Sequence, residues 1–182
     1  MSVNAFTKRK LSIGTQGLAA LGALVAAVAL PQLLHVMGAA SGLGTALGEI
    51  FLPMHLPIIL VGLLAGPLAG ILSGALAPLV SFALTGMPLA TMLPFMMVEL
   101  ASYGLFAGLL RSTRLPTSVK VLLVQIGGRV LRAAAILLAV SALGHGIALA
   151  TIWTSIARGL LGLALQWVLI PLVLYRLDHA GR

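Results

Sequence analysis

The sequence predicts an all-α integral membrane protein, a bundle of six transmembrane helices with both termini in the cytoplasm. Three observations carry that expectation. The chain is 60% hydrophobic and 8% charged, with a mean hydropathy of +1.16, which excludes an ordinary cytosolic domain. The stretch from Phe51 to Gly104 holds one formally charged side chain, Glu99, yet Pro53, Pro57, Gly66, Pro67, Gly74, Pro78, Gly86, Pro88 and Pro94 interrupt it. One lipid-facing helix would not tolerate so many breaks, whereas packed helices joined by short turns tolerate both the apolarity and the punctuation. Finally, the basic clusters border apolar runs instead of forming an exposed stripe.

A hydrocarbon core takes about 20 residues of helix to cross. The first span is expected at about residues 13–37, preceded by Lys8, Arg9 and Lys10. A cleaved signal peptide ending at Ala27–Ala29 is the competing interpretation, but the apolar run continues well past that point and Pro31 would follow the cut. Residues 38–49 are small and polar enough for a loop. The second span is expected at about 50–66, and Pro67 opens a third to about 84. A fourth runs over about 93–110, and a basic turn from Arg111 to Lys120 follows it. The fifth covers about 121–143, the Gly144–Gly146 segment turns the chain, and the sixth covers about 149–175. One membrane domain thus accounts for residues 1–182.

Charge sets the expected orientation. Lys and Arg concentrate at Lys8–Lys10, at Arg111, Arg114 and Lys120, and at Arg176 and Arg182. Six spans starting inside place all three clusters on the cytoplasmic side, and the opposite loops carry no Lys or Arg, as the positive-inside rule requires. The net charge of +8 is therefore assigned to the membrane surface and not to nucleic acid, because no basic stripe is interleaved with aromatics. The absence of cysteine excludes disulfides and thiolate chemistry.

Two rows of small residues mark close helix packing. Gly62, Gly66, Gly70 and Gly74 recur every four residues and are expected to pack the second span on the third. Ala19, Ala23 and Ala27 form a row on the first span, which fits either another helix of this chain or a partner.

Four ionisable groups lie inside the expected spans: Glu99, Arg129, Arg132 and Arg158. Intramembrane charge is costly and is usually retained because it pairs or binds. At 1.5 Å per residue, Glu99 and Arg132 each sit about 18 Å from the cytoplasmic edge, so Glu99 can pair with Arg132 or Arg129. Arg158 lies about 27 Å up, close to the outer surface. Gln125, Arg129 and Arg132 share one helix face. So do Thr151, Ser155, Arg158, Gly162 and Gln166, and in the fourth span Phe95, Glu99, Ser102 and Phe106. Three polar stripes in an apolar bundle read as the lining of a pocket. Three arginines against one nearby acid favour a ligand bearing a carboxylate or phosphate. The bland alternative is a buried ion pair that fixes helix register while Arg158 snorkels outward.

His35 and His55 fall near the outer side, and no His, Asp or Glu cluster has metal-ligand spacing, so no metal is expected. Trp153 suits an interfacial anchor near the mouth of the pocket. No P-loop, G-x-S-x-G elbow or H-E-x-x-H occurs, so no enzyme activity is expected and any ATP hydrolysis must come from another chain.

The blocks "FLPMHLPIILVGLLAGPLAGILSGALAPLVSFALTGMP", "LPFMMVELASYGLFAGLL", "GGRV" and "LQWVLIPLVL" resemble the substrate-binding S component of energy-coupling factor (ECF) transporters. The resemblance covers roughly residue 50 to the end of the chain. It implies a six-helix bundle in the plasma membrane that binds a vitamin or similar micronutrient near its outer face. It further implies delivery inward with a transmembrane T component and two ATP-binding-cassette ATPases, which use the ATP, so that this chain needs no cofactor of its own. By that resemblance the pocket is built from Glu99, Arg129, Arg132, Trp153 and Arg158, with His55 beside a gating loop. Ala19, Ala23 and Ala27 correspond to the row that docks the T component. A nickel and cobalt branch uses an amino-terminal Met-His, but Met54-His55 is internal here, which weakens a metal reading. The positive excess leans towards an acid such as pantothenate or nicotinate. The rival from another class is a small integral-membrane enzyme or assembly protein whose Glu/Arg cluster is purely structural.

Overall fold

Proline and glycine set the element boundaries in the computed structural model, which describes residues 11–144 and 146–180. Lys8, Arg9, Lys10 and Arg182, used above for orientation, lie outside the described residues, as does the middle of the Gly144–Gly146 turn. The first helix, α1, spans Ile13–Ala40. It begins at Ser12, whose hydroxyl accepts from the Thr15 amide at 3.2 Å and so satisfies one of the free N–H groups of the first turn.

The expected second span is broken. A short helix α2, Ala46–Phe51, precedes α3, His55–Ala65, and the joint between them is Leu52 in the left-handed region at φ 48°. The sequence expectation of a loop to residue 49 and one helix from residue 50 is therefore corrected. The reason is Pro53: its ring disfavours the α conformation at the preceding residue, so the helix cannot run through Leu52. Pro57 is tolerated because it falls in the first turn of α3, where its missing N–H costs nothing.

Gly66, at φ 112°, ends α3, and Pro67 starts α4, Pro67–Thr85. After a turn containing a cis peptide at Met87-Pro88, α5 covers Leu93–Leu110. Helix α6 runs over Thr117–Leu143 and α7 over Ala150–Ala180. Helix α6 begins earlier than the sequence suggested, because Pro116 caps it and places Lys120 inside its first turns. Lys120 is not a free charge of the turn; it is buried and donates from Nζ to the Arg111 carbonyl at 3.0 Å, capping the end of α5.

Among the described residues there is no strand, and six helical segments are long and apolar enough to cross a membrane when α2 and α3 are counted as one. Their outward faces carry large apolar side chains such as Leu18, Leu21 and Val25 on α1 and Leu160, Leu161 and Val168 on α7. Water would not tolerate that surface, whereas lipid does.

Helix α5 is central and packs against α3, α4 and α6. The glycine row does not serve mainly to join α3 to α4, as the spacing suggested; both helices press it onto α5. A Cβ on Gly62 would lie 2.6 Å from the Gly104 carbonyl oxygen, and one on Gly70 or Gly74 would strike the backbone of Gly104 or Leu100. On the other side of α5, Tyr103 seats over Gly128 and Phe106 over Gly127. Glu99, one turn above Tyr103, is thereby held against the face of α6 that carries Arg129 and Arg132.

The Ala19, Ala23, Ala27 row lies partly against the bundle. Ala27 is fully buried in the main core, while Ala19 and Ala23 pack on Val61, Ala65 and Ala69 of α3 and α4. The row thus serves the interface of α1 with its own bundle, while Ala19 and Ala23 stay partly exposed.

Candidate functional site

At the end of the bundle that holds the α1–α2, α4–α5 and α6–α7 connections lies a cavity of about 340 Å³. Its floor is charged, its wall is apolar, and its mouth is polar.

Glu99 defines the floor. Its side chain is 0% exposed, and both carboxylate oxygens are engaged. Oε2 accepts from Arg132 Nη1 at 2.7 Å, the short distance of a charge-assisted bond. Oε1 lies 3.0 Å from Arg129 Nε and 3.6 Å from His55 Nε2. His55 reaches this point from the first residue of α3, immediately after the Leu52–Met54 joint, and its ring stands edge-on to Tyr103 with centroids 5.2 Å apart. The sequence expected Glu99 to choose between the two arginines; it holds both.

The cluster is not internally balanced. Arg129 and Arg132 are 9% and 13% exposed, and two guanidinium charges face one carboxylate. Arg129 Nη1 and Nη2 and Arg132 Nε are buried without a hydrogen bond. An unmet buried charge is costly, so the floor of the cavity carries an electrostatic surplus of one positive charge. Gly159 of α7 leaves room for the guanidinium, since a Cβ there would sit 3.2 Å from Arg129 Nη2.

The wall is formed by Leu52, Pro53 and Met54 of the joint, by Met87, Pro88 and Leu89 of the α4–α5 turn, and by Met92 and Met96. The mouth is formed by Thr45 and Glu49 on one side and by Thr151, Thr154, Ser155 and Arg158 of α7 on the other. Arg158 donates from Nη1 to Glu49 Oε2 at 2.8 Å, which ties α2 to α7 across the opening. Arg158 therefore does line the cavity, but its charge is matched. The expected surplus of two positive charges falls to one, because Glu49, expected at the end of the loop of residues 38–49, pairs with Arg158.

Trp153 does not join the site. It is 75% exposed and is not among the lining residues. It lies two positions from both Thr151 and Ser155, roughly 200° around the helix, so it faces outward when they face in.

The lower part of each expected polar stripe is structural. Gln125 donates to the Leu163 carbonyl at 3.0 Å, and Gln166 donates to the Leu52 carbonyl at 3.2 Å. Gly162 lets the backbone at Ile50 and Phe51 approach α7. These contacts hold the broken joint beneath the mouth. Ser102 bonds back to the Val98 carbonyl of its own helix at 2.6 Å.

The methionines, His35 and Glu49 were missed as lining residues. A methionine in an apolar run has no feature that separates a cavity wall from a lipid-facing surface. Glu49 carried a usable signal: it is one of only three acids in a strongly basic membrane protein. No cluster of three or more metal-ligating side chains occurs among the described residues.

A protein-family model described as the substrate-specific component of ECF transporters matches residues 17–175. No curated protein and no solved structure matched the chain.

Proposed function

The chain belongs to the family of substrate-specific components of ECF transporters and is thus a subunit of a transporter and a multi-pass membrane protein; from this premise we propose that it captures an anionic, water-soluble vitamin or related micronutrient at the outer face of the plasma membrane. The observation that carries the reading is the pair of arginines, Arg129 and Arg132, that line the cavity floor against the single carboxylate of Glu99. Arg129 and Arg132 bind the anionic group, Glu99 and His55 hold the two arginines in place, and Glu49 and Arg158 stand at the mouth. Trp153 anchors α7 in the membrane interface.

In this proposal the termini are cytoplasmic, and the substrate moves inward through association with a T component and two ATP-binding-cassette ATPases that use the ATP. The T component docks along α1 on the row of Ala19, Ala23 and Ala27, of which Ala19 and Ala23 remain partly exposed.

Detergent-purified protein screened by thermal shift against water-soluble vitamins tests the binding step. A ligand at 100 times its dissociation constant adds about 2.7 kcal/mol of stability. The reading fails if no vitamin raises the melting point and if Arg132→Ala and Glu99→Ala leave uptake unchanged in cells that express the whole transporter.

A further inference from the structure

Charge is distributed unevenly along the cavity, and this sharpens the proposed function, on which the inference rests. At the mouth, Glu49 and Arg158 cancel each other. At the floor, Glu99 spends both oxygens on Arg129 and Arg132 and neutralises one of them. Three arginines against two glutamates leave one positive charge, and it resides on the floor of the cavity. The atoms that carry it are Arg129 Nη1 and Nη2 and Arg132 Nε, all buried without a hydrogen bond. Arg129 and Arg132 both line the cavity, and a guanidinium is the group whose planar fork matches the two oxygens of a carboxylate.

A second space, of about 10 Å³, lies behind the same arginines between α6 and α7. It is at the lower limit for a single water, so an organic anion reaches the fork only from the main cavity. Between floor and mouth the wall is made of Met54, Met87, Met92 and Met96 with Leu52 and Pro88 and offers no counter-charge. Thioethers are soft and favour apolar, aromatic or sulfur-bearing groups. The volume, about 340 Å³, is at the small end of ligand sites.

We infer that the site takes a small organic monoanion, with one carboxylate seated on Arg129 and Arg132 and an uncharged, apolar or aromatic body lying along the methionine wall. A neutral amide leaves the floor charge bare. A dianion brings a second charge for which the wall has no partner, and a cation meets the surplus head-on.

The test measures binding by full-length protein in lipid nanodiscs and chloride-free buffer. Its probes are three acid and amide pairs: nicotinate and nicotinamide, lipoate and lipoamide, biotin and biotinamide. Pyridine-2,3-dicarboxylate serves as the dianion and thiamine as the cation. The expected result is that at least one acid binds at least about tenfold more tightly than its own amide, the dianion and the cation. Arg129→Lys keeps a positive charge beside Glu99 but lacks the fork; it should weaken the acid at least about tenfold, leave the amide unchanged, and melt close to the unsubstituted protein without ligand. An amide, dianion or cation that binds as tightly as the acids overturns this inference; an amide or cation also removes the anionic part of the proposed substrate but leaves capture of a vitamin or micronutrient in this cavity standing. An Arg129→Lys variant that is folded and binds the acid undiminished overturns this inference as well. If neither these probes nor any water-soluble vitamin binds, both fall together.

Discussion

Glu99 sits without solvent contact between two guanidinium groups and an imidazole, and Glu49 meets Arg158 half-exposed at the cavity mouth. The same ion-pair chemistry therefore carries different weights at the two places. Removing one partner of a buried pair leaves an uncompensated charge and costs about 3–5 kcal/mol, whereas an exposed pair contributes about 0–1 kcal/mol. Glu99→Gln is expected to lower thermal stability by the larger amount. Glu49→Gln and Arg158→Gln should each change it by less than about 1 kcal/mol. Side-by-side melting curves of the three purified variants check the contrast, and equal losses would mean that burial does not set the energetics here. The sequence made Glu99, Arg129 and Arg132 visible because charge is rare in these spans. It left Trp153 and Arg158 ambiguous, since exposure depends on which way a helix faces, and one residue step turns that by about 100°.

At the scale of the element, the decisive feature is the joint between α2 and α3. Pro53 makes the break legible in principle, but its geometry is held from a distance by Gln166, which donates to the Leu52 carbonyl. Gln166→Leu removes that bond and is expected to speed hydrogen exchange at the amides of Leu52 and His55 while leaving the middle of α4 unchanged. Exchange mass spectrometry reads this directly, and uniform protection at the joint would refute the strut. The glycine contacts make a second prediction. Gly104→Leu must separate α5 from the backbone of Gly70 and should cost at least about 3 kcal/mol, the upper end of overpacking penalties. Gly22→Ala, with nothing within 4 Å of the new methyl, should stabilise α1 by about 0.5–1 kcal/mol. Thermal denaturation of the two variants measures both signs. The row of Gly62, Gly66, Gly70 and Gly74 announced tight packing, but not that α5 would be what it packs against.

For the whole molecule, the cavity and the basic α5–α6 turn lie at opposite ends of the bundle, so orientation decides whether the site meets the outside. The absence of cysteine makes this simple to test, because any introduced thiol is unique. Ser41→Cys, in the α1–α2 connection, is expected to react with a membrane-impermeant thiol reagent in intact cells. Thr113→Cys, in the α5–α6 turn, should react only after permeabilisation. The reverse pattern would invert the topology and remove the cavity from the outer face. Composition, the spacing of proline and glycine, and the placement of Lys and Arg carried most of this level, since the bilayer imposes span length and loop charge on sequence directly.

By itself the sequence determined the membrane class, the helical content, the approximate limits of the long helices and the few charged side chains inside them, because each of these follows from local composition read against a fixed hydrocarbon thickness. Only the tertiary structure decided that α3 and α4 close on α5, that Ala27 is buried in the core, that Trp153 faces away, and that Glu49 cancels Arg158 so that one positive charge is left on the floor. Those outcomes depend on the rotation of each helix about its own axis and on pairs of residues far apart in the chain. In an apolar bundle the outward and inward faces share one vocabulary of Leu, Ala, Gly and Met, so local sequence carries too little contrast to fix that rotation.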